Sequence, residues 1–460
     1  MRNYYFGVST FCDDIMKLGY TIKYPASGLF DNDTGKISLN RYGLQIEKPY
    51  YSDDIYPIIT LSDKYHKAVA EQLLDLGYRR FALVRKIEDE YLFLECDYSD
   101  RDYQKEKGNM IILYLEHRSY SGIVGIEKQL MNKTVSYNHE LIFQTLEGEC
   151  SYQDALYYRI VSKRVITERN KPSFAMNTIQ IWHGYPLKAM GYMSPQSKGN
   201  SDGGNLWKHF DQIASYGKLY TALMSACYGT KASQFAEIGM PRNDLLYFSD
   251  GASSLRRLFP NADGKKMIMY MPTFREMERK VEGYIQVDAD ANGYLFYWED
   301  FQLEKLEDYC KKNDLFFIFK LHPVDASKVK SWSVQSDYVG IMTDDMLGEN
   351  CLYEYLNGVD LLITDYSSVY FDYLLLNRPM IFLDKDVEEY GRERGLLLEP
   401  LDYWCPGPKV HTVKALLDEI SEGLFGGDRY KEARENLTPI IHKYQDGKST
   451  QRLLDYLAKL

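Results

Sequence analysis

The sequence predicts an α/β protein in which two Rossmann-like halves face a cleft, preceded by a small Rossmann-like module. Three observations carry that prediction. Short apolar runs of strand length alternate with stretches whose apolar residues recur at helical spacing. The alternation restarts twice, after the charged stretch RDYQKEK at 101–107 and again near IGMPRNDLLY at 238–247. In the last segment three consecutive strands, MYMPTFRE, FKLHP and ITDYSS, each end in residues able to bind phosphate.

Residues 1–100 form the first module. YYFGV reads as a strand and leads to a helical stretch ending at Gly19; TIKYPASGLFDNDTGK then places a strand before an Asp31-Asn32-Asp33 turn. YPIITLS is a second apolar strand, KYHKAVAEQLLDLGY a helix stopped by a glycine, and FALVR the closing strand. A module of this kind binds a pyrophosphate through several glycines after its first strand, whereas FGVSTFCDD offers only Gly7. A structural or docking role is therefore expected of it. RDYQKEK, charged and without apolar anchors, reads as a linker.

The second unit, 106–235, runs through NMIILYLEH, helix-like GIVGIEKQLMN, strand-like HELIFQ, helix-like YQDALYYRIV, strand-like KRVITE and TIQIWHG. The third, 236–460, alternates strand KKMIMYMPTFRE, helix FQLEKLEDYCKKN, strand LFFIFKLHP, helix CLYEYLNGV, strand DLLITDYSS, helix VYFDYLLLN and strand PMIFLD. Two such halves imply a cleft, and in open parallel sheets ligands sit beyond the carboxyl ends of the strands.

Composition narrows the function classes. A hydrophobic share of 45% and a charged share of 26% are those of a packed globular chain. The net charge of -11 and the pI near 5.4 exclude broad nucleic-acid binding, which needs clustered Lys and Arg. Seven scattered cysteines with no CxxC pair read as reduced thiols, not as a zinc site or a disulfide frame. The amino terminus lacks the pattern of a signal peptide, and no apolar run reaches the about 18 residues of a membrane span. A cytoplasmic location is expected, with any contact at the inner face of the membrane being peripheral.

ITDYSSVYFDYL sets Asp365, Tyr366, Ser367 and Ser368 between a strand and a helix, where unpaired amides, the helix dipole and two hydroxyls favour an anion. The bland alternative is a serine that only caps its helix. His322 follows an apolar strand directly and precedes Pro323; Thr273 and Arg275 follow another, and a guanidinium suits phosphate oxygens. Of eight histidines, only His183 and His322 sit at strand ends. GKST at 447–450 mimics the end of a P-loop, but His442 stands where its first glycine belongs; it reads as a helix start. Asp288 and Asp290, in VDADANG, read as a loop and not as a metal site.

WHGYPLKAMG, GMPRND, MPTFRE, KLHP, ITDYSSVYFDYLLLNRPMIFLDKDVEEYGRERG and DGKSTQRLLDYL occur in the order found in the CDP-glycerol glycerophosphotransferase family, the teichoic-acid primases and polymerases, which the chain resembles over about 108–460. The resemblance implies a GT-B fold, with 106–235 as acceptor-side domain, 236–460 as nucleotide-donor domain, and a final helix returning to the N-terminal half. It implies transfer of glycerol phosphate or ribitol phosphate from a CDP-polyol to an acceptor hydroxyl, with release of CMP. The acceptor would be a glycan or a lipid-linked polyol, and the product a teichoic-acid-like or capsular polymer. Neither metal nor cofactor is expected.

Carried over by motif, His183 and His322 fall on the family's catalytic histidines, the first regarded as the base. The second, with Ser367 and Ser368, falls on the groups that hold the donor diphosphate. Thr273, Arg275 and Asp365 join them as phosphate-binding candidates, and Gly184, Lys188, Arg242 and Asn243 are further candidates in the same motifs. Where the family usually has threonine after WHG this chain has Tyr185, expected to reshape the acceptor site. The rival readings are a GT-B glycosyltransferase using a nucleotide sugar and a non-catalytic scaffold for envelope assembly. No motif separates glycerol from ribitol or sets the oligomeric state.

Overall fold

The computed structural model describes residues 1–18, 24–169, 177–195, 206–273, 301–320, 336–385 and 387–460. The chain divides into two compact units, Met1–Ile112 with His139–Val165, and Leu113–Asn138 with Ile166–Leu460.

The first unit contains β1 (Arg2–Phe6), β2 (Ala26–Phe30), β3 (Asn40–Arg41), β4 (Leu44–Glu47), β5 (Ile55–Ile59), β6 (Arg80–Ile87) and β7 (Glu90–Asp97), in the sheet order β3-β4-β2-β1-β5-β6-β7. β1 pairs in parallel with β2 and β5, and β5 with β6, around a core that includes Tyr5, Leu29, Ile58 and Ala82. Helix α1 (Thr10–Lys17) follows β1, and α2 (His66–Leu76) ends where Gly77 turns to φ 115°.

Two features depart from the sequence reading. FALVR does not close the sheet: EYLFLECD folds back as β7, antiparallel to β6 from Arg80 opposite Asp97 to Ile87 opposite Glu90. RDYQKEK does have an anchor, because Tyr103 in the short helix α3 (Tyr103–Glu106) is 1% exposed and its hydroxyl donates to Asp75 at 2.7 Å. An aromatic ring buried at one point fixes a stretch whose average composition looks like a linker.

The β1–α1 turn is filled by the protein's own groups. The Val8 amide donates to Asp31 Oδ2 at 2.8 Å, and Lys36 Nζ donates to the Val8 carbonyl at 2.9 Å. Gly7 sits at φ 105°, with Leu61 occupying the space a side chain would need. A carboxylate thus stands where a phosphate would be received.

The chain continues through β8 (Met110–Leu115), β9 (Ile142–Glu147), β10 (Ser162–Thr167), β11 (Thr178–Gln180), β12 (Gln212–Ser215) and β13 (Phe235–Glu237). In the second unit β11, β12 and β13 are successive neighbours, β11–β12 and β12–β13 being parallel. A five-stranded sheet follows, built from β14 (Lys266–Met271), β15 (Leu315–Lys320), β16 (Val339–Met342), β17 (Leu361–Thr364) and β18 (Met380–Phe382). Its order is β16-β15-β14-β17-β18, parallel throughout. The three strands that end in MPTFRE, KLHP and TDYSS therefore lie side by side. Ile268, Phe317, Ile363 and Ile381 form their core with Leu306 and Cys310. At roughly 1.5–3 kcal/mol for each fully buried large apolar side chain, that core fixes where the strand ends stand.

Four helices of this unit bear on the site: α4 (Gly122–Met131), α5 (Lys218–Tyr228), α6 (Val369–Tyr373) and α7 (Ser449–Leu457). α7, which starts in GKST, opens on a carboxylate. Asp244 accepts from the Ser449 amide at 2.8 Å and the Thr450 amide at 2.7 Å. Gln129 of α4 donates to Asp244 at 3.0 Å and to Thr450 at 2.5 Å, so the final helix packs back against α4.

Candidate active site

In the five-stranded sheet, parallel pairing of β14 with β17 brings Met271 opposite Thr364. Asp365, buried just past that strand end, accepts from the Thr273 amide at 2.8 Å. The Thr273 hydroxyl is buried and has no partner among the described residues. Tyr366 is buried and stacks on Tyr390 at 4.4 Å. The chain then turns, leaving Ser367 and Ser368 half-buried at the start of α6. Ser368 has helical φ of -64° and makes no side-chain cap hydrogen bond, so the bland reading of a capping serine does not describe it. Arg275, His322 and the pair Asp288 and Asp290 lie outside the described residues. Among the described residues no three His, Cys, Asp or Glu side chains gather as metal ligands.

At the WHG motif, β11 leaves its sheet with the Ile181 amide bonded to the Thr167 carbonyl at 2.9 Å. Trp182 is buried against Trp207, with centroids 5.1 Å apart, and Trp207 stacks on Tyr228 at 4.3 Å. This aromatic wall supports His183, whose ring lies 3.8 Å from that of Trp182. His183 is exposed overall, although protein atoms crowd around its ring. That crowding, then the positive charge of Arg242 and then His117, push its pKa down to about 4. Near neutral pH the imidazole is uncharged and able to take a proton.

The two sides meet at Gly184. A Cβ there would stand 2.8 Å from Ser368 Oγ and 3.9 Å from an Arg242 nitrogen. The glycine after the histidine is what lets the WHG turn lie directly on the serine turn. Behind this contact Arg242 is 2% exposed and donates to the His183 carbonyl, to Tyr216 Oη at 3.0 Å and to Asp372 Oδ2 at 2.7 Å. Asp372, fully buried, also accepts from Asn243 at 2.8 Å, Tyr216 at 2.9 Å and Tyr353 at 2.5 Å. Burial alone would raise its carboxyl, but Arg242 and these donors hold it below the usual range.

A family model for CDP-Glycerol:Poly(glycerophosphate) glycerophosphotransferase matches residues 82–459. The chain belongs to this family. Among curated relatives, the teichoic acid ribitol-phosphate polymerase TarL of Staphylococcus aureus is 29% identical over 61% of this chain and 47% of its own length. The teichoic acid ribitol-phosphate primase of Bacillus spizizenii is 27% identical over 77% of this chain and 85% of its own. The chain spans about half the length of TarL and TarK, at 47% and 53%. Among solved structures, the wall teichoic acid polymerase TagF aligns with a TM-score of 0.61 at 19% identity, over 78% of this chain and 90% of that one. A variant of TagF soaked with CDPG aligns with a TM-score of 0.60. These matches agree with the GT-B-like architecture of the second unit.

Within the family's motifs, the structure separates residues that line the meeting point from residues that support it. His183, Gly184, Ser367 and Ser368 come together, and Thr273 and Asp365 lie at neighbouring strand ends. Arg242 and Asn243 turn their donors toward Asp372, and Lys188 joins a different contact. Its backbone bridges to Leu396 and its ammonium lies 5.7 Å from the Tyr390 ring. Tyr185 does not shape an open acceptor site: it is 2% exposed and packs on Phe371 at 4.5 Å, Tyr216 at 5.2 Å and Tyr220 at 5.7 Å. A phenol after WHG points into the core because the chain turns there, which its identity alone does not reveal.

Sequence reasoning missed Asp372 and Glu168. Glu168, past the end of β10 and 4% exposed, accepts from Ser121 Oγ at 2.7 Å and from the Gly122 amide at the start of α4. Burial raises its pKa to about 7, against the pull of those donors and of Arg242. A glutamate after KRVIT offers no signal beyond its place at a strand end.

Proposed function

We propose that this chain transfers glycerol phosphate or ribitol phosphate from a CDP-polyol to an acceptor hydroxyl, releasing CMP, in synthesis of a teichoic-acid-like or capsular surface polymer. The contact of Gly184 with Ser368 carries this reading, because it brings the residue next to His183, whose imidazole is neutral, onto a turn that carries two serine hydroxyls. The acceptor oxygen attacks the phosphorus that bears the polyol, its proton passes to His183, and the bond to the bridging oxygen breaks so that CMP leaves with the electron pair. Phosphoryl transfer asks mainly for positioning and charge stabilisation. Ser367, Ser368 and the Thr273 hydroxyl, with Arg275 and His322, are suited to hold the diphosphate. The donor's negative charge would raise the basicity of His183 as it binds, which matches a ring held low in its absence.

The activities of relatives, a ribitol-phosphate polymerase and a ribitol-phosphate primase, support the same chemistry. The acceptor in this reading is a glycan or lipid-linked polyol, reached at the inner face of the membrane by peripheral contact. No described helix is long and apolar enough to cross a membrane. The test is a donor screen read by nucleotide release: CMP from CDP-glycerol or CDP-ribitol is the expected result. Turnover of UDP-sugars, with both CDP-polyols inert, would replace the reading with glycosyl transfer.

A further inference from the structure

We propose that the buried Arg242–Asp372 pair is a positioning bridge that holds the His183 peptide against the Ser367–Ser368 turn, keeping base and donor site at one separation during transfer. The proposal rests on the reading of His183 as the base. Two contacts on adjacent residues close one loop. Arg242 grips the His183 carbonyl, and the next residue, Gly184, lies on Ser368. Ser368 and Asp372 are four residues apart at the start of α6, so one helical turn presents the hydroxyl to Gly184 and the carboxylate to Arg242. Neither link can shift without the other.

The guanidinium is used as a fork. One nitrogen reaches the carbonyls of His183 and Tyr120, the second at 3.4 Å, and the other reaches Asp372 and Tyr216. The Tyr353 ring lies 4.8 Å from the guanidinium while its hydroxyl bonds Asp372. A buried ion pair is weak evidence for stability, because desolvation offsets much of the attraction. What this pair supplies is geometry, since the rigid planar fork fixes the directions in which it holds a carbonyl and a carboxylate at once. Lysine at the same place keeps the charge and loses the fork.

The experiment compares Arg242→Lys, the neutral double variant Arg242→Gln/Asp372→Asn, Tyr353→Phe and His183→Ala. Folding is followed by thermal melting, CDP-glycerol and CDP-ribitol binding by calorimetry, and CMP release by single-turnover kinetics across pH. The double variant removes both charges of the pair together and leaves Glu168, which Arg242 also attracts, to its hydrogen bonds from Ser121 and Gly122. It is expected to bind donor as wild type does and to lose about 100-fold in kcat, the scale of a misplacement near 1 Å. Its acidic limb in kcat/KM moves to higher pH, because of the two charged or titratable groups that act on His183, Arg242 and His117, one has been neutralised. Arg242→Lys loses rate with the limb in place.

A folded double variant with wild-type kcat overturns the proposal. If the double variant does not fold, wild-type kcat in both Arg242→Lys and Tyr353→Phe overturns it. If His183→Ala keeps turnover, the base reading fails and the bridge falls with it. If His183→Ala is inactive while the double variant is not, the bridge alone fails.

Discussion

Replacing Gly184 by alanine tests how closely the WHG turn lies on the serine turn. The added Cβ would stand 2.8 Å from Ser368 Oγ and 3.5 Å from Ser368 Cβ. Ordinary contact begins at 3.4 Å, so the hydroxyl must retreat, or the turns must part, by the difference of about 0.6 Å between 2.8 and 3.4 Å. Gly184 is not at positive φ, so alanine adds no backbone strain. A lone hydroxyl can rotate, which puts the folding cost at or below about 1 kcal/mol, the low end for overpacking. Catalysis is less forgiving: a shift of this size in a reacting geometry costs on the order of tenfold to 100-fold in kcat/KM. CMP release from a CDP-polyol reads the loss, and a thermal melt on the same sample shows that the fold survives. In a Ser368→Ala background the colliding oxygen is absent, so Gly184→Ala should cost little more. Wild-type kcat/KM with an unchanged melt would refute the contact.

Three further outcomes follow from named groups. Glu168 has its folded pKa raised from 4.5 to about 7, so its stabilising contribution is full below the unfolded value and is lost as pH rises through 7. Glu168→Gln should flatten that dependence, by an amount on the order of 3 kcal/mol at most between pH 4.5 and 8, measured by urea unfolding. Asp244→Ala strands the Ser449 and Thr450 amides and Gln129, and should cost roughly 2–4 kcal/mol, with hydrogen exchange rising first in α7. His183, held down to about 4, should give kcat/KM an acidic limb near that pH, displaced upward in kcat once the donor is bound; a limb near 6.5 in kcat/KM would contradict the described surroundings.

Much of the architecture was legible because its cause is local. Apolar strand runs, helical periodicity and stop glycines such as Gly77 are local signals, and the order of the motifs carried the GT-B-like fold. WHG and TDYSS were legible as strand-end turns. What the motifs could not convey was pairing at a distance. Arg242 reads as a site candidate from its place in GMPRND, and its partner Asp372 stands within a helix-like FDYL. Tyr185 reads as a site residue until the turn sends it among Phe371, Tyr216 and Tyr220. GKST does open a helix, as its sequence suggests, yet the carboxylate that receives it, Asp244, belongs to GMPRND. In each case the missing term was a tertiary contact between segments far apart in the chain.

The central claim is that His183, set against the Ser367–Ser368 turn, takes the acceptor proton. His183→Ala tests it most directly, with CMP release and donor binding measured on one preparation. A positioned base contributes about 10² to 10⁴ in rate, so turnover should fall by that much while CDP-polyol binding persists. Turnover retained at the wild-type rate, with binding intact, would contradict the account.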